Sequence, residues 1–139
     1  MVVKEIWTNS DFEIMGWHDC RIYAMSFPDE KFKFYLELDY IFKWEKYYEG
    51  YKFWVSPCHL IFENIYDLRV EMDFQDSIGL YMIEIKRLNP RLSPNQKMTI
   101  WDYIIECDSG RIFVSASGFT QIVIKQPVLS ETQDLDINR

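Results

Sequence analysis

Along Phe32 to Trp44 (FKFYLELDYIFKW) apolar and mixed positions alternate without a break. Phe32, Phe34, Leu36, Leu38, Tyr40 and Phe42 fall on one side of an extended chain, and Lys33, Tyr35, Glu37, Asp39, Ile41 and Lys43 on the other. A period of two is what a half-buried strand requires, because successive Cβ atoms point to opposite faces. Wound as a helix, the same apolar set scatters around the circumference and leaves no stripe to bury. The stretch is therefore read as a long strand whose greasy face other strands must cover.

The remainder of the chain supplies those strands. Val2, Val3 and Ile6 suit a short edge strand, while Asn9, Ser10 or Asp11 can cap one helical turn carrying Phe12 and Met15 and ended by Gly16. The helix is the favoured reading there. Asp19 to Phe27 alternates as a first strand, and Pro28-Asp29-Glu30-Lys31 has turn composition, so the first two strands form a hairpin. Glu45 to Lys52 (EKYYEGYK) is charged and aromatic and reads as a loop. Strands follow at Phe53 to Ser56, broken at Pro57, then at His59 to Ile65, which Tyr66 to Phe74 either extends or follows as a new strand. Ile78 to Leu88 is denser in apolar residues, as a central strand would be. Asn89 to Lys97, with two prolines, reads as a loop. Met98 to Cys107 and Arg111 to Ser117 flank a tight turn at Asp108-Ser109-Gly110, and Phe119 to Gln126 follows a bend at Gly118.

These segments predict an all-β domain, or a β-dominated α+β domain with one short N-terminal helix. About eight strands make a curved antiparallel sheet that closes toward a sandwich or incomplete barrel. Helix-length amphipathic segments are missing, which argues against crossover-linked parallel strands. Residues 1–127 form a single domain. The acidic stretch 128–139 is expected to be a flexible tail, frayed or docked by Val128 and Leu129 alone.

Charge and cysteine usage narrow the function classes. Fifteen Lys+Arg against 22 Asp+Glu leave a net charge of −7, which repels phosphate backbones, and no basic cluster offsets it. Nucleic acid is not an expected partner, whereas a protein with a basic surface is. Cys20, Cys58 and Cys107 are odd in number and form no CxxC pair, so a reducing compartment fits better than a disulfide framework. The first residues carry Lys4, Glu5, Asp11 and Glu13 without an apolar leader, and no apolar run approaches a membrane span. A cytoplasmic location is expected, with no membrane partner.

Few residue groupings suggest chemistry. His18 and Asp19 stand adjacent, as in the metal-binding dyad of HD-type phosphohydrolases, but those enzymes set it on helices with further ligands. The setting here is a turn entering a strand. A structural role is preferred: Asp19 bonding turn amides, His18 packing beside Trp17 while bonding a backbone carbonyl. His18 and Cys20 share a face at spacing two and with Cys58 or His59 sketch a zinc set, yet Cys58 and His59 point opposite ways on a strand. No metal, cofactor or catalytic residue is therefore assigned. A pocket within the curve of the sheet, near His18, Asp19, Asp39 and Glu63, is the alternative to a surface site. It implies a small enzyme or ligand carrier.

The aromatic content of 17 % offers a different candidate. Trp44, Tyr47, Tyr48, Tyr51 and Trp54 crowd one segment, interleaved with Glu45, Lys46, Glu49 and Lys52. Rigid aromatic rings among charges are what protein contact sites use, because they bury area at little entropic cost. The competing reading folds the segment back over an open end of the sheet to close the core. A hairpin of this length also offers itself to a second copy, so a homodimer is compatible with the sequence.

Gly16-Trp17-His18-Asp19, Leu38-Asp39-Tyr40-Ile41 with Trp44, Phe53-Trp54-Val55-Ser56-Pro57 and Leu60-Ile61-Phe62-Glu63-Asn64 together resemble a small group of uncharacterised bacterial proteins. The aromatic-His-Asp strand entry is also similar to that of small immunity proteins of bacterial polymorphic toxin systems. The resemblance covers about the first half of the chain. It implies a compact, non-catalytic binding protein that plugs a toxin, with His18 and Asp19 as fold or interface residues.

Overall fold

The computed structural model describes residues 1–135. Its strands are β1 (Ile6–Thr8), β2 (Arg21–Ser26), β3 (Phe34–Tyr47), β4 (Gly50–Glu63), β5 (Asp67–Met72), β6 (Leu80–Leu92), β7 (Thr99–Cys107), β8 (Gly110–Ala116), β9 (Gly118–Val123) and β10 (Val128–Ser130). All pair antiparallel in one sheet of order β1-β9-β4-β3-β2-β6-β7-β8-β5, with β10 added to β4. The expected β class holds; β6 lies between β2 and β7 in strand order, but only its first residues pair with β2 and most of its length is exposed or half-buried. One 3₁₀ helix, Asn9–Ile14, is the helical element among the described residues, and none is long and apolar enough to cross a membrane.

The sheet is strongly curved. Phe62 on β4 and Tyr103 on β7 lie well apart in strand order, yet their ring centroids are 5.1 Å apart. One half of the sheet therefore lies over the other, and Phe34, Leu36, Leu38, Leu60, Phe62, Tyr103, Ile105, Ile112 and Val114, all fully buried, fill the space between. The joint is narrow: β2 meets β6 at Arg21↔Tyr81 and Ile22↔Leu80, and just before β2 Asp19 N–H donates to Met82 O (2.9 Å) and Met82 N–H to Cys20 O (2.8 Å). At the other end of the curl the chain crosses at Ser117, whose N–H donates to Glu63 O (2.9 Å). The path ends at β1 and β5, which do not pair with each other, so the sheet stays open.

Several boundaries differ from the sequence reading. Phe32 is not in the strand: its φ is +53° and its ring is exposed. From Phe34 to Tyr40 the even positions face the core as predicted. Ile41, still in register with Val55 and in alternation with Asp39, is buried as well, and a register shift follows between Ile41 and Lys43. Residues 45–52 are not a loop but the far end of a β3–β4 hairpin, where Tyr47 pairs with Gly50. Pro57 does not break β4. It sits opposite Asp39, and its carbonyl accepts from Ile124 N–H (2.9 Å), away from β3. N–H and C=O of one residue point the same way in an antiparallel strand, so the missing proline donor costs the β3 ladder nothing. Likewise β6 runs through Asn89 and Pro90, which occupy a second register shift between Leu88 and Arg91.

The 3₁₀ helix starts from Thr8 rather than from Asn9, Ser10 or Asp11. Asp11 reaches back to accept Thr8 N–H (2.9 Å) and binds Lys4 Nζ (2.7 Å). Those bonds, the Lys4 one foremost, hold the Asp11 carboxyl below its usual range. Asn9 instead spans the crossing, accepting Phe119 N–H (2.6 Å) and donating to Ser117 O (3.2 Å). After Pro127 the chain is held by more than Val128 and Leu129. β10 pairs with Phe53–Val55, and Gln133, Asp134 and Leu135 bond Asp19, Arg21 and Asp39 respectively. Residues 136–139 of the expected tail lie outside the described residues.

Candidate functional site

The site is built on the part of the hairpin that outruns its neighbours. β2 pairs with β3 only at Tyr35–Asp39, and β9 with β4 only at Cys58–Glu63. Beyond the register shift, Lys43–Tyr47 and Gly50–Trp54 continue as a two-stranded arm, flanked on one side by β10 at Phe53–Val55. Without further strands on either side, a ribbon of this kind keeps much of both faces in solvent.

Alternation divides the five aromatic residues between those faces. Trp44 and Tyr51 share one face with Phe53, at 6.0 and 5.1 Å from the Trp44 ring. Tyr47 and Trp54 lie on the other, where Lys52 Nζ sits 4.6 Å from the Tyr47 ring and Glu45 accepts the Tyr47 hydroxyl (3.2 Å). Desolvation first, and then that carboxylate, raise the Tyr47 pKa. Tyr48 stands at the turn. Trp44, Tyr47 and Tyr51 are 42, 38 and 51 % exposed and Tyr48 wholly so, while Trp54 is half-buried beside Leu129.

His18 joins the Trp44 face. Its ring stacks on Trp44 (centroids 6.2 Å, planes 20° apart), and Nδ1–H donates to Ile83 O (3.3 Å). The expected carbonyl bond is therefore present, but the ring partner is Trp44, not Trp17. Trp17 itself is core, packed on Phe12, Tyr40 and Phe119, with Nε1–H donating to the buried Gln121 amide (2.9 Å). Below His18 an open groove of about 390 Å³ runs between the Met15–His18 segment and Ile83–Ile85. Glu13 and Glu84 stand on its two walls, and Ile83 is exposed. The sequence reading missed Ile83, Glu13 and Glu84. Ile83 had a signal, since it is the apolar residue that breaks alternation in β6, at a register shift between Met82 and Glu84.

The alternative pocket residues do not converge. His18 and Asp19 are neighbours, 3.4 Å apart, and Asp19 accepts the Gln133 amide (2.7 Å). Asp39 lies on the strand face opposite Leu36 and Leu38, fully buried, accepting the Tyr23 hydroxyl and Leu135 N–H (both 2.7 Å). Burial foremost, and then Asp39, push the Tyr23 pKa up. Glu63 sits at the end of β4, bonded by the Thr120 hydroxyl (2.6 Å). Within the curve, between the two halves of the sheet, packed side chains occupy the space that such a pocket would need.

The zinc sketch likewise has no geometry behind it. Cys20, Cys58 and Cys107 are buried free thiols, burial pushing Cys20 and Cys107 up to about 12, and Cys58 faces the core while His59 does not. Among the described residues no three His, Cys, Asp or Glu side chains come together as metal ligands.

Fold and surface define the class: an all-β protein with an open ten-stranded antiparallel sheet and a projecting aromatic hairpin. Comparison with family models, with curated proteins and with solved structures returns no match.

Proposed function

We propose that the protein is a cytoplasmic, non-catalytic binding protein that meets a protein partner through the β3–β4 arm and acts as an immunity-type inhibitor of a bacterial toxin. One observation carries this reading: an arm that leaves the body of the sheet with Trp44, Tyr47, Tyr48 and Tyr51 in solvent. Apolar ring area of that kind is favourable to cover and entropically cheap to order. The arm's own charges nearly balance, Lys43, Lys46 and Lys52 against Glu45 and Glu49, so contact there rests on the rings. Long-range attraction comes from the whole chain at −7, which favours a basic partner and speeds its approach. The filled interior supports a role at the surface over one within the curve of the sheet.

The test compares wild type with the Trp44→Ala/Tyr48→Ala variant in a pull-down from a lysate of the encoding organism. A specific protein is expected on the wild type and lost from the variant, whose melting temperature stays nearly unchanged. Expressed alone, that protein should arrest growth, and co-expression of wild type but not of the variant should restore it. Equal retention by both proteins excludes the arm, and loss of the fold in the variant makes these rings core.

A further inference from the structure

A further exposed part of the sheet is the open edge of β5, the strand at one end of the path. Asp73 N–H donates to Ser109 O (2.7 Å), in line with the β5–β8 register from Asp67↔Ser115 to Met72↔Gly110. Backbone groups alternate in direction along a strand, so Asp67, Arg69 and Glu71 turn theirs to β8. The N–H and C=O groups of Leu68, Val70 and Met72 therefore face outward, and among the described residues no strand covers them. An uncovered row of this kind is a template for another strand.

The side chains select both the partner and the register. An antiparallel copy related by a two-fold axis at Val70 pairs Val70 with Val70 and Leu68 with Met72. All three outward residues of each strand are then used. The same register sets Arg69 opposite Glu71 of the other copy, twice. Sliding by one hydrogen-bonded step places Arg69 on Arg69 or Glu71 on Glu71, and like charges directly opposite destabilise a pair. Asp67 and Asp73 meet only at the ends, where Asp67 is held by Arg69 (2.9 Å) and Asp73 accepts Gln75 N–H (3.1 Å). On the inner face Leu68 and Met72 already pack on the core, so pairing extends that apolar layer across the axis. β1, the strand at the other end of the path, offers three residues against six.

We infer that β5 is a self-complementary edge through which two copies join their sheets, with Arg69 bonding Glu71 across the two-fold axis. A contact of one short strand is small, and a dissociation constant on the order of 100 µM is expected. Sedimentation velocity from about 5 µM to 1 mM should show a monomer–dimer equilibrium. Glu71→Arg and Arg69→Glu should each weaken it about tenfold or more, and the double exchange should restore it to within about threefold. Under mild oxidation Val70→Cys should cross-link to itself, whereas Leu68→Cys and Met72→Cys should cross-link only when mixed. The native thiols are buried and stay silent. A monomer at 1 mM overturns the proposal, as does cross-linking of Tyr48→Cys but not of Val70→Cys, or a double exchange that dimerises no better than the singles.

Discussion

The two ends of the β3–β4 hairpin share one continuous ladder and differ in everything that flanks it. Near Phe34–Asp39 and Pro57–Phe62 the ladder lies between β2 and β9, and Phe34, Leu36, Leu38, Leu60 and Phe62 are fully shielded from solvent. Past the register shift the same strands carry equally large side chains, yet Trp44, Tyr47 and Tyr51 stay partly wet and Tyr48 fully so. Hydrophobicity alone does not separate the two ends. The opposing half of the sheet does, because burial of a strand face needs a second layer opposite it, as Tyr103 supplies for Phe62. The body end holds the fold, and the arm keeps its rings partly in solvent.

The sharpest contrast is truncation at each end. Phe62→Ala should cost about 3–5 kcal/mol in urea or thermal unfolding, since a buried ring is lost and a cavity remains. Tyr48→Ala should stay within about 0.5 kcal/mol of wild type. Comparable losses would erase the distinction between the ends.

Alkali should act on the body. Cys20 and Cys107 keep their protons in the folded protein up to about 12, against a reference value of 9.0, and both lie in the core cluster. Their contribution is fully present below pH 9 and is lost as pH rises toward 12, because the unfolded thiol ionises first. At pH 11 Cys20 should account for about 2–3 kcal/mol. Unfolding free energies measured from pH 8 to 11 should show this slope reduced in Cys20→Ala.

Two hairpin glycines give a smaller contrast. Gly110 at the β7–β8 turn has φ +148°, and an added Cβ would stand 1.9 Å from the Glu71 carbonyl oxygen. Gly110→Ala should therefore cost about 2 kcal/mol or more. Gly50 at the arm turn has nothing within 4 Å, and Gly50→Ala should change the melting temperature by no more than about 2 °C.

How much of this was legible in the chain depends on whether the deciding contact is local. Alternation from Phe34 to Tyr40 announces its strand because the period is a property of the segment itself. The arm did not announce itself. EKYYEGYK has loop composition, and only pairing with its own partner strand makes it a ribbon. Pro57 and Pro90 read as breaks because their cost depends on which way the nitrogen faces, a matter settled by strands elsewhere in the chain. At the site, the exposed tyrosines were legible as a cluster, but their division between two faces follows from the register shift at Ile41–Lys43. The stacking of His18 on Trp44 and the exposure of Ile83 join segments distant in sequence, and no local pattern carries them.

Native-state amide hydrogen exchange across β3 and β4 tests the division between body and arm most directly. Amides of Leu36, Leu38, Leu60 and Phe62 should exchange only through global unfolding, while those of Glu45, Tyr47 and Lys52, which face the partner strand of the arm, should open locally and exchange at least about a hundredfold faster. Equal protection of the two sets would mean that the arm is part of the cooperative core and would contradict the division between body and arm.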